Sequence, residues 1–384
     1  MNEAVKPKKF GIRYCRACLD PDTRPGQVFN ADGLCMPCSL ELTRETVDWD
    51  AREQELREHV LWAKARARHG YDCVIGVSGG KDSTRLALFA RDIGLRPLLV
   101  SCTYPPMQMT ERGAENLSNL ISLGFDTITV NIAPVLYRDM MKVGFEKFGN
   151  WCKPTELALY ASVPQVAIDW NIPLVCLGEN PFLTLGTGSG SIDGNAENLA
   201  SMHTLGGGDL SPYLDEGINP DLLHWYRYPT IEAIRRSGLR MIFLGYYMKD
   251  FSDLVNAKVA VAHGLKLRED KDADPERTGS IYNFVALDDD FVFVNQFLKY
   301  LKLGFGLVSQ QCSLRIRDGA MTRDEALELT RRFDGKVDPA LIRDFAKFLG
   351  LSEDEFWLVA EKYRNPELWE RVGNEGWQLK YPPQ

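Results

Sequence analysis

No run of about 18 uninterrupted apolar residues occurs in the 384-residue chain, so no membrane-spanning helix is expected. The first ten residues, MNEAVKPKKF, carry lysines with no apolar core behind them, and no signal peptide is expected either. Positive charge is short as well: 45 Lys and Arg stand against 53 Asp and Glu, a formal net charge of −8. A nonspecific nucleic-acid footprint normally needs a basic face, so no nucleic-acid partner is expected, though a local basic patch fits within an acidic whole. The nine cysteines are odd in number and unevenly spread, unlike the framework of a disulfide-stapled secreted domain. These absences point to the cytoplasm. No internal repeat is present. What the chain does have is bulk, with a length and a 45% hydrophobic fraction that suit two or three cored domains.

Four of the cysteines are not scattered. Cys15, Cys18, Cys35 and Cys38 fall in "YCRACLDPDTRPGQVFNADGLCMPC", spaced C-x2-C, sixteen residues, C-x2-C. Two such knuckles let four thiolates converge tetrahedrally on Zn²⁺, and the same donor set also serves an iron–sulfur cluster. Pro21, Pro25, Gly26, Asp32 and Gly33 between them suit tight turns rather than a core. A closed four-thiolate site leaves no open coordination position, which assigns it to folding or docking. Residues 1–45 therefore read as a zinc-ribbon module. The charged stretch from Glu41 to His69 reads as a helix with a solvated face, and 46–70 as the linker.

"CVIGVSGGKDSTRLALFA", residues 73–90, packs a phosphate-binding pattern between a buried-strand run (71–77) and a helix beginning near Ser83. Glycines 79 and 80 free the turn, and the open N–H groups of the helix start point at an anion. Lys81 adds a mobile positive charge, and Asp82 suits Mg²⁺ or a polar group beside the phosphates. The pattern is not the Walker loop, because the glycines are adjacent and an Asp follows the Lys. SGGKDS resembles the PP-loop, SGGxDS, of the ATP pyrophosphatase superfamily. That resemblance implies ATP gripped by its pyrophosphate end, attack on the α-phosphorus, and release of AMP and pyrophosphate from an adenylated intermediate.

Downstream, strands over 96–104, 126–132 and 172–180 alternate with helices over 110–123, 135–148 and 153–170. The fold class is thus α/β: a PP-loop parallel sheet (adenine nucleotide alpha hydrolase-like) over 71–265, with the four-cysteine ribbon before it. A helical C-terminal region over 266–384 follows. Ligands of such sheets lie at the carboxyl ends of the strands. That rule groups Ser78, Gly79, Gly80, Lys81, Asp82, Ser83, Ser101 and Gly178 as nucleotide-binding candidates, with Lys81, Asp82 and Glu179 as catalytic ones. Glu179 either binds Mg²⁺ or substrate or caps a turn; Asn180 beside it and Lys249 after "GYYM" are substrate-site candidates. The glycine-rich stretch 185–217 reads as a lid or substrate loop, with His203 in it an ordinary polar loop residue. Residues 266–280 read as a solvated charged loop. Helices are expected over 291–303, 323–332, 339–349 and 352–365, the last with a Ser352/Glu355 capping box.

The ribbon with its "DPDTRPG", then "GVSGGKDS", "LGEN", "FLGYYMK" and the tail "CSLRIRDGAMTRDEALELTRRFDG" together resemble one family. It is the bacterial N-acetyl sugar amidotransferases of surface-polysaccharide and nonulosonic-acid pathways, and the likeness spans the chain. It implies conversion of a sugar acetamido group to an acetamidino group for LPS O-antigen or a related surface glycan, with ATP, Mg²⁺ and Zn²⁺ as cofactors. The sugar is expected to be nucleotide-linked. Arg315, Arg317 and Arg323 in the tail either anchor its diphosphate or make internal salt bridges. The chain has neither a nucleophile-elbow cysteine nor an N-terminal Cys for glutamine hydrolysis. Ammonia is therefore expected from a separate glutaminase pair resembling the histidine-pathway synthase. The alternative is a PP-loop tRNA thiolase. Such enzymes often need a reactive cysteine near the nucleotide, and here Cys152 is followed three residues on by Thr155, while Cys102 and Cys176 sit in apolar strands.

Overall fold

A computed structural model describes residues 11–42, 47–186, 192–373 and 376–384. Five parallel strands form the central sheet: β1 (Cys73–Gly76), β2 (Pro97–Thr103), β3 (Thr127–Asn131), β4 (Leu174–Leu177) and β5 (Arg240–Phe243). Their order is β3-β2-β1-β4-β5. The chain winds outward from β1 through β2 to β3, then returns to place β4 on the other side of β1. Cys73, Val74 and Ile75 pair with Leu98's strand on one side and with Leu174, Val175 and Cys176 on the other. The order reverses between β1 and β4, and a crevice opens there at the carboxyl edge, where doubly wound sheets bind ligands.

Side chains alternate across the sheet, and both faces are buried. Val74, Leu98, Val100, Val175 and Phe243 pack with Leu157, Val163 and Val166 of the helix Cys152–Asp169. Ile75, Leu99, Leu174, Cys176 and Ile242 pack on the opposite face with Leu86 and Leu88 of the helix Lys81–Asp92 and Leu56 of the helix Trp49–Arg66. No helix among the described residues is long and apolar enough to cross a membrane.

The C-terminal region is helical, with helices Val292–Leu303, Leu307–Arg317, Arg323–Phe333, Pro339–Phe348 and Glu353–Lys362 and a closing hairpin of Trp369–Arg371 with Trp377–Leu379. It joins the sheet domain through an aromatic core in which Phe145 stacks on Phe356 at 5.2 Å, with Phe345 edge-on to both. The Ser352/Glu355 capping box is formed, and Thr322/Glu325 makes a second that the sequence reading did not name. The four-cysteine module docks on the same region. Leu19 is buried with Val308 and Cys312, its N–H donates to Ser313 Oγ (3.2 Å), and Thr23 Oγ1 donates to the Leu303 carbonyl (2.6 Å).

Two expectations change. The 266–280 stretch is not wholly solvated: Arg268 is buried, donating to the carbonyls of Val285 and Ala286 and pairing with Asp290. A guanidinium with that many acceptors belongs inside the fold. Of the glycine-rich segment, 187–191 lie outside the described residues, and 192–217 are packed structure rather than an open lid. Asn195 bridges to Ile242 beside β5, and Ala196, Leu199 and Leu205 are buried against the sheet. His203 is exposed. Residues 1–10 and 43–46 of the expected ribbon and linker likewise lie outside the described residues.

Candidate active site

The loop Ser78–Ser83 joins β1 to its helix at the crevice. Gly79 has φ +82°, and a Cβ there would stand 2.8 Å from the Leu117 backbone nitrogen, so both conformation and space require glycine. Gly80 is the N-cap in an extended conformation, with no side chain closing the first turn. The free N–H groups of a twelve-residue helix therefore face the crevice, an arrangement suited to phosphate. Ser83 Oγ returns a bond to the Gly80 carbonyl (3.1 Å) and steadies the turn.

Lys81 is buried, and its ammonium lies between Asp82 Oδ2 and Asp253 Oδ1, the latter at 2.7 Å. Burial works against its charge, but the two carboxylates outweigh that, and its pKa is raised. The Phe284 ring lies 5.7 Å from Nζ. Asp82 Oδ1 in turn accepts from Asn256 Nδ2 (2.8 Å). Asp253, Asn256 and Phe284 are residues that the sequence reading missed. Asp253 and Asn256 belong to the helix Asp253–Ala262 that packs beside Lys81–Asp92. Their nearest sequence signal is their position just beyond the fifth strand, at the carboxyl edge.

Across the crevice, at the end of β4, Gly178 packs against Leu86, and its carbonyl accepts from Gly245 N–H (3.1 Å). Glu179 is exposed at the surface, yet neighbouring protein crowds its carboxyl. That crowding, with the like charges of Asp82 and Asp253, pushes its carboxyl up to about 7; Lys81 and the Thr184 hydroxyl temper the rise. Ser101 is buried on β2, paired with Thr129 of β3.

The substrate candidates separate. Asn180 is buried, accepts from Phe182 N–H (3.1 Å) as N-cap of the helix Pro181–Leu185, and donates to the Asp193 carbonyl (3.0 Å). Lys249 is exposed. Arg323 donates to the Gln384 carbonyl. Arg315 donates to the Ala320 carbonyl (3.3 Å), and Tyr282 feels the charges of both Arg315 and Asp253, which puts Arg315 near the crevice.

Arg317 belongs to the cysteine cluster. The four thiols lie within 4.8 Å of one another, all buried, and could hold a metal ion. One arm of Arg317 reaches Asp20 Oδ2 (3.6 Å) and Cys18 Sγ (3.8 Å), and the other donates to the Thr184 carbonyl (3.0 Å). Arg24 holds Asp20 from the other side (2.6 Å). The helix Met36–Glu41 packs on Pro181–Leu185, which follows Glu179 directly. The cluster is thus built against the crevice wall. Neither Cys102 nor Cys152 is activated: burial pushes Cys102 up to about 12, and burial with Glu156 and Asp289 pushes Cys152 well above the usual thiol range.

Residues 279–381 match the model of the family described as "LPS biosynthesis protein WbpG-like, C-terminal domain". No curated protein matches. Among solved structures, a predicted subunit of tRNA methyltransferase from Methanocaldococcus jannaschii aligns over 49% of this chain and 75% of its own, at 12% identity and a TM-score of 0.27. The U34-tRNA thiolase NcsA from Methanococcus maripaludis with its [4Fe-4S] cluster aligns over 80% of this chain and 86% of its own, at 13% identity and a TM-score of 0.31. The C-terminal match supports the resemblance to the sugar amidotransferases, and the crevice has the strand, turn and helix of a PP-loop.

Proposed function

We propose that this chain, with its WbpG-like C-terminal region, is an ATP-dependent amidotransferase that turns the acetamido group of a sugar into an acetamidino group. The observation that carries the reading is a PP-loop crevice walled by that same region: Phe284 stands over Lys81, and Tyr282 stacks on Phe284 at 4.4 Å.

An amide carbon is a poor electrophile because its oxygen leaves badly. In the first step the amide oxygen attacks the α-phosphorus of ATP, the nitrogen loses its proton, and pyrophosphate leaves. The product is an imidate-like adenylate. In the second step ammonia adds to the carbon and AMP departs with the former amide oxygen, leaving the amidine. The free N–H groups of the first turn of the helix Lys81–Asp92 and the Lys81 ammonium stabilise the departing pyrophosphate. Glu179, pushed up to about 7, takes the amide or ammonium proton at neutral pH. Asp82, Asp253 and Glu179 are the carboxylates able to hold Mg²⁺, which would neutralise phosphate charge.

The four-cysteine cluster is read as a structural zinc site. Zn–S bonds of about 2.3 Å set tetrahedral thiolates about 3.8 Å apart, and Cys18 and Cys35 Sγ lie 3.7 Å apart. A cubane cluster would put iron and sulfide between the thiolates and spread them wider. The raised thiols of Cys102 and Cys152 disfavour a thiolase. Ammonia is supplied by a separate glutaminase, and the product enters a lipopolysaccharide or related surface glycan. The test follows AMP and pyrophosphate release with ATP, Mg²⁺, ammonium and a panel of acetamido sugars. Release that depends on one sugar supports the reading; release with none, but with tRNA, would replace it.

A further inference from the structure

A cavity of about 130 Å³ lies at the start of the helix Cys152–Asp169. This helix precedes a parallel strand, so its first turn sits at the carboxyl edge, the same edge as the PP-loop crevice. Phe148, Lys153, Thr204, Gly206, Asp209 and Tyr213 are among its walls. Lys153 Nζ donates to the His203 carbonyl (3.3 Å) and lies over the Phe148 ring. Lys302 stands behind the same wall, donating to the Phe148 carbonyl (2.6 Å).

Both ammonium groups are short of counter-charge. Lys147, nearby, is paired with Glu216 at 2.8 Å; neither Lys153 nor Lys302 forms an ion pair with a described carboxylate. Burial lowers the pKa of each, and Lys153 lowers that of Lys302 further. Asp209 is exposed, with Oδ1 engaged by Ser211 N–H (2.9 Å). Burial pushes the Glu156 carboxyl up, which weakens it as a counter-ion. The imidazole of His203, beside both lysines, has its pKa lowered by partial desolvation and by their charges. The Thr204 hydroxyl is sealed from solvent and faces the Glu156 carboxyl, whose rise it tempers.

One wall is bare backbone. Gly206, Gly207 and Gly208 have φ of +57°, +73° and +80°, and a Cβ on Gly206 would stand 3.1 Å from Lys153 Nζ. Three consecutive left-handed glycines keep side chains away from the ammonium and leave room beside it. Two ammonium groups that form no ion pair with a described carboxylate, a single exposed carboxylate, Asp209, on the walls, and an open glycine wall describe an oxyanion pocket.

We propose that this cavity is a subsite for an oxyanionic group, a carboxylate or diphosphate, borne by the acceptor. That the ligand is a sugar substrate rests on the proposed function; that the cavity binds an oxyanion does not. The test therefore uses binding without turnover. The PP-loop is first saturated with Mg²⁺ and a non-hydrolysable ATP analogue, and calorimetry then follows titration with glucuronate or with inorganic pyrophosphate.

At least one probe should bind the wild type, and Lys153→Met should weaken it by roughly tenfold or more, the loss of one charge-assisted hydrogen bond. Lys153→Arg should retain binding, and Lys302→Met should weaken it less. Affinity for the ATP analogue should not change. Ligand-free Lys153→Met should melt at or above the wild-type temperature, because an uncompensated cation is gone. Glucuronate binding alone assigns a carboxylate, pyrophosphate alone a diphosphate, and both an oxyanion of either kind. No binding of either probe to the wild type, or equal binding to Lys153→Met, overturns the proposal. A protein that binds a probe here yet releases no AMP with any sugar would instead count against the amidotransferase reading alone.

Discussion

Arg317→Met tests whether the four-cysteine cluster is mechanically tied to the crevice. The guanidinium bridges Asp20 and Cys18 on one side and the Thr184 carbonyl on the other, and it is nearly buried, at 8% exposure. Removing it deletes two hydrogen bonds, to Thr184 and more weakly to Cys18, each worth about 1 kcal/mol or less. It also breaks a buried ion pair, a loss of about 3–5 kcal/mol when the surviving charge is left alone. Asp20 keeps Arg24 at 2.6 Å, so it is not left alone. The combined loss is therefore roughly 2–4 kcal/mol. Metal affinity should fall about 10–100-fold, as when other outer-sphere partners of metal ligands are removed. Transfer of the metal to a chromogenic chelator measures this, and amide exchange over 179–186 measures the crevice wall. Both should change together. Arg317→Lys should recover more metal affinity than exchange protection, because a single ammonium cannot serve Cys18 and Thr184 at once. Wild-type metal affinity and unchanged exchange in Arg317→Met would refute the linkage.

The other predictions concern the crevice itself. Gly79→Ala combines left-handed strain of about 1–2 kcal/mol with a Cβ 2.8 Å from backbone; melting should fall and calorimetry should find no ATP-analogue binding. Lys81→Ala should lower AMP release by about 10²–10³ while circular dichroism stays native, since Lys81 faces the charge that develops on pyrophosphate. With Glu179 near 7, activity at a fixed concentration of free ammonia should rise with pH through about that value, and Glu179→Gln should abolish this limb. The stability sign is opposite. A carboxyl raised by folding costs nothing below its unfolded pKa and destabilises the ligand-free protein increasingly as pH climbs through its folded pKa. Ligand-free Glu179→Gln should therefore gain melting temperature over wild type at pH 8 but not at pH 4.

The PP-loop and the cysteine knuckles were legible because each is a local pattern whose spacing carries its own geometry. The strands β1 to β4 and their helices were legible from apolar runs and glycine stops, with boundaries displaced by up to three residues. Other features depend on contacts far apart in sequence. Asp253 meets Lys81, and Asn256 meets Asp82 across 174 residues, from a helix with nothing unusual in its pattern. β5 lies within "GLRMIFLGYY", an apolar run that the strand shares with the helical turn Leu244–Tyr247 and that marks no boundary between them. Arg317 read equally as a diphosphate anchor or as part of an internal salt bridge, because arginine serves phosphates and buried carboxylates equally well. Only the fold shows that Asp20 and Cys18 are its neighbours.

The central claim is that the amide oxygen itself becomes bonded to the α-phosphorus. The most direct measurement uses an acetamido sugar labelled with oxygen-18 in the acetamide carbonyl, incubated with the enzyme, ATP, Mg²⁺ and ammonium, followed by mass analysis of the AMP. The account predicts that the label appears in AMP, one atom for each amidine formed. Unlabelled AMP, with the heavy oxygen kept in the sugar or lost to water, would contradict it.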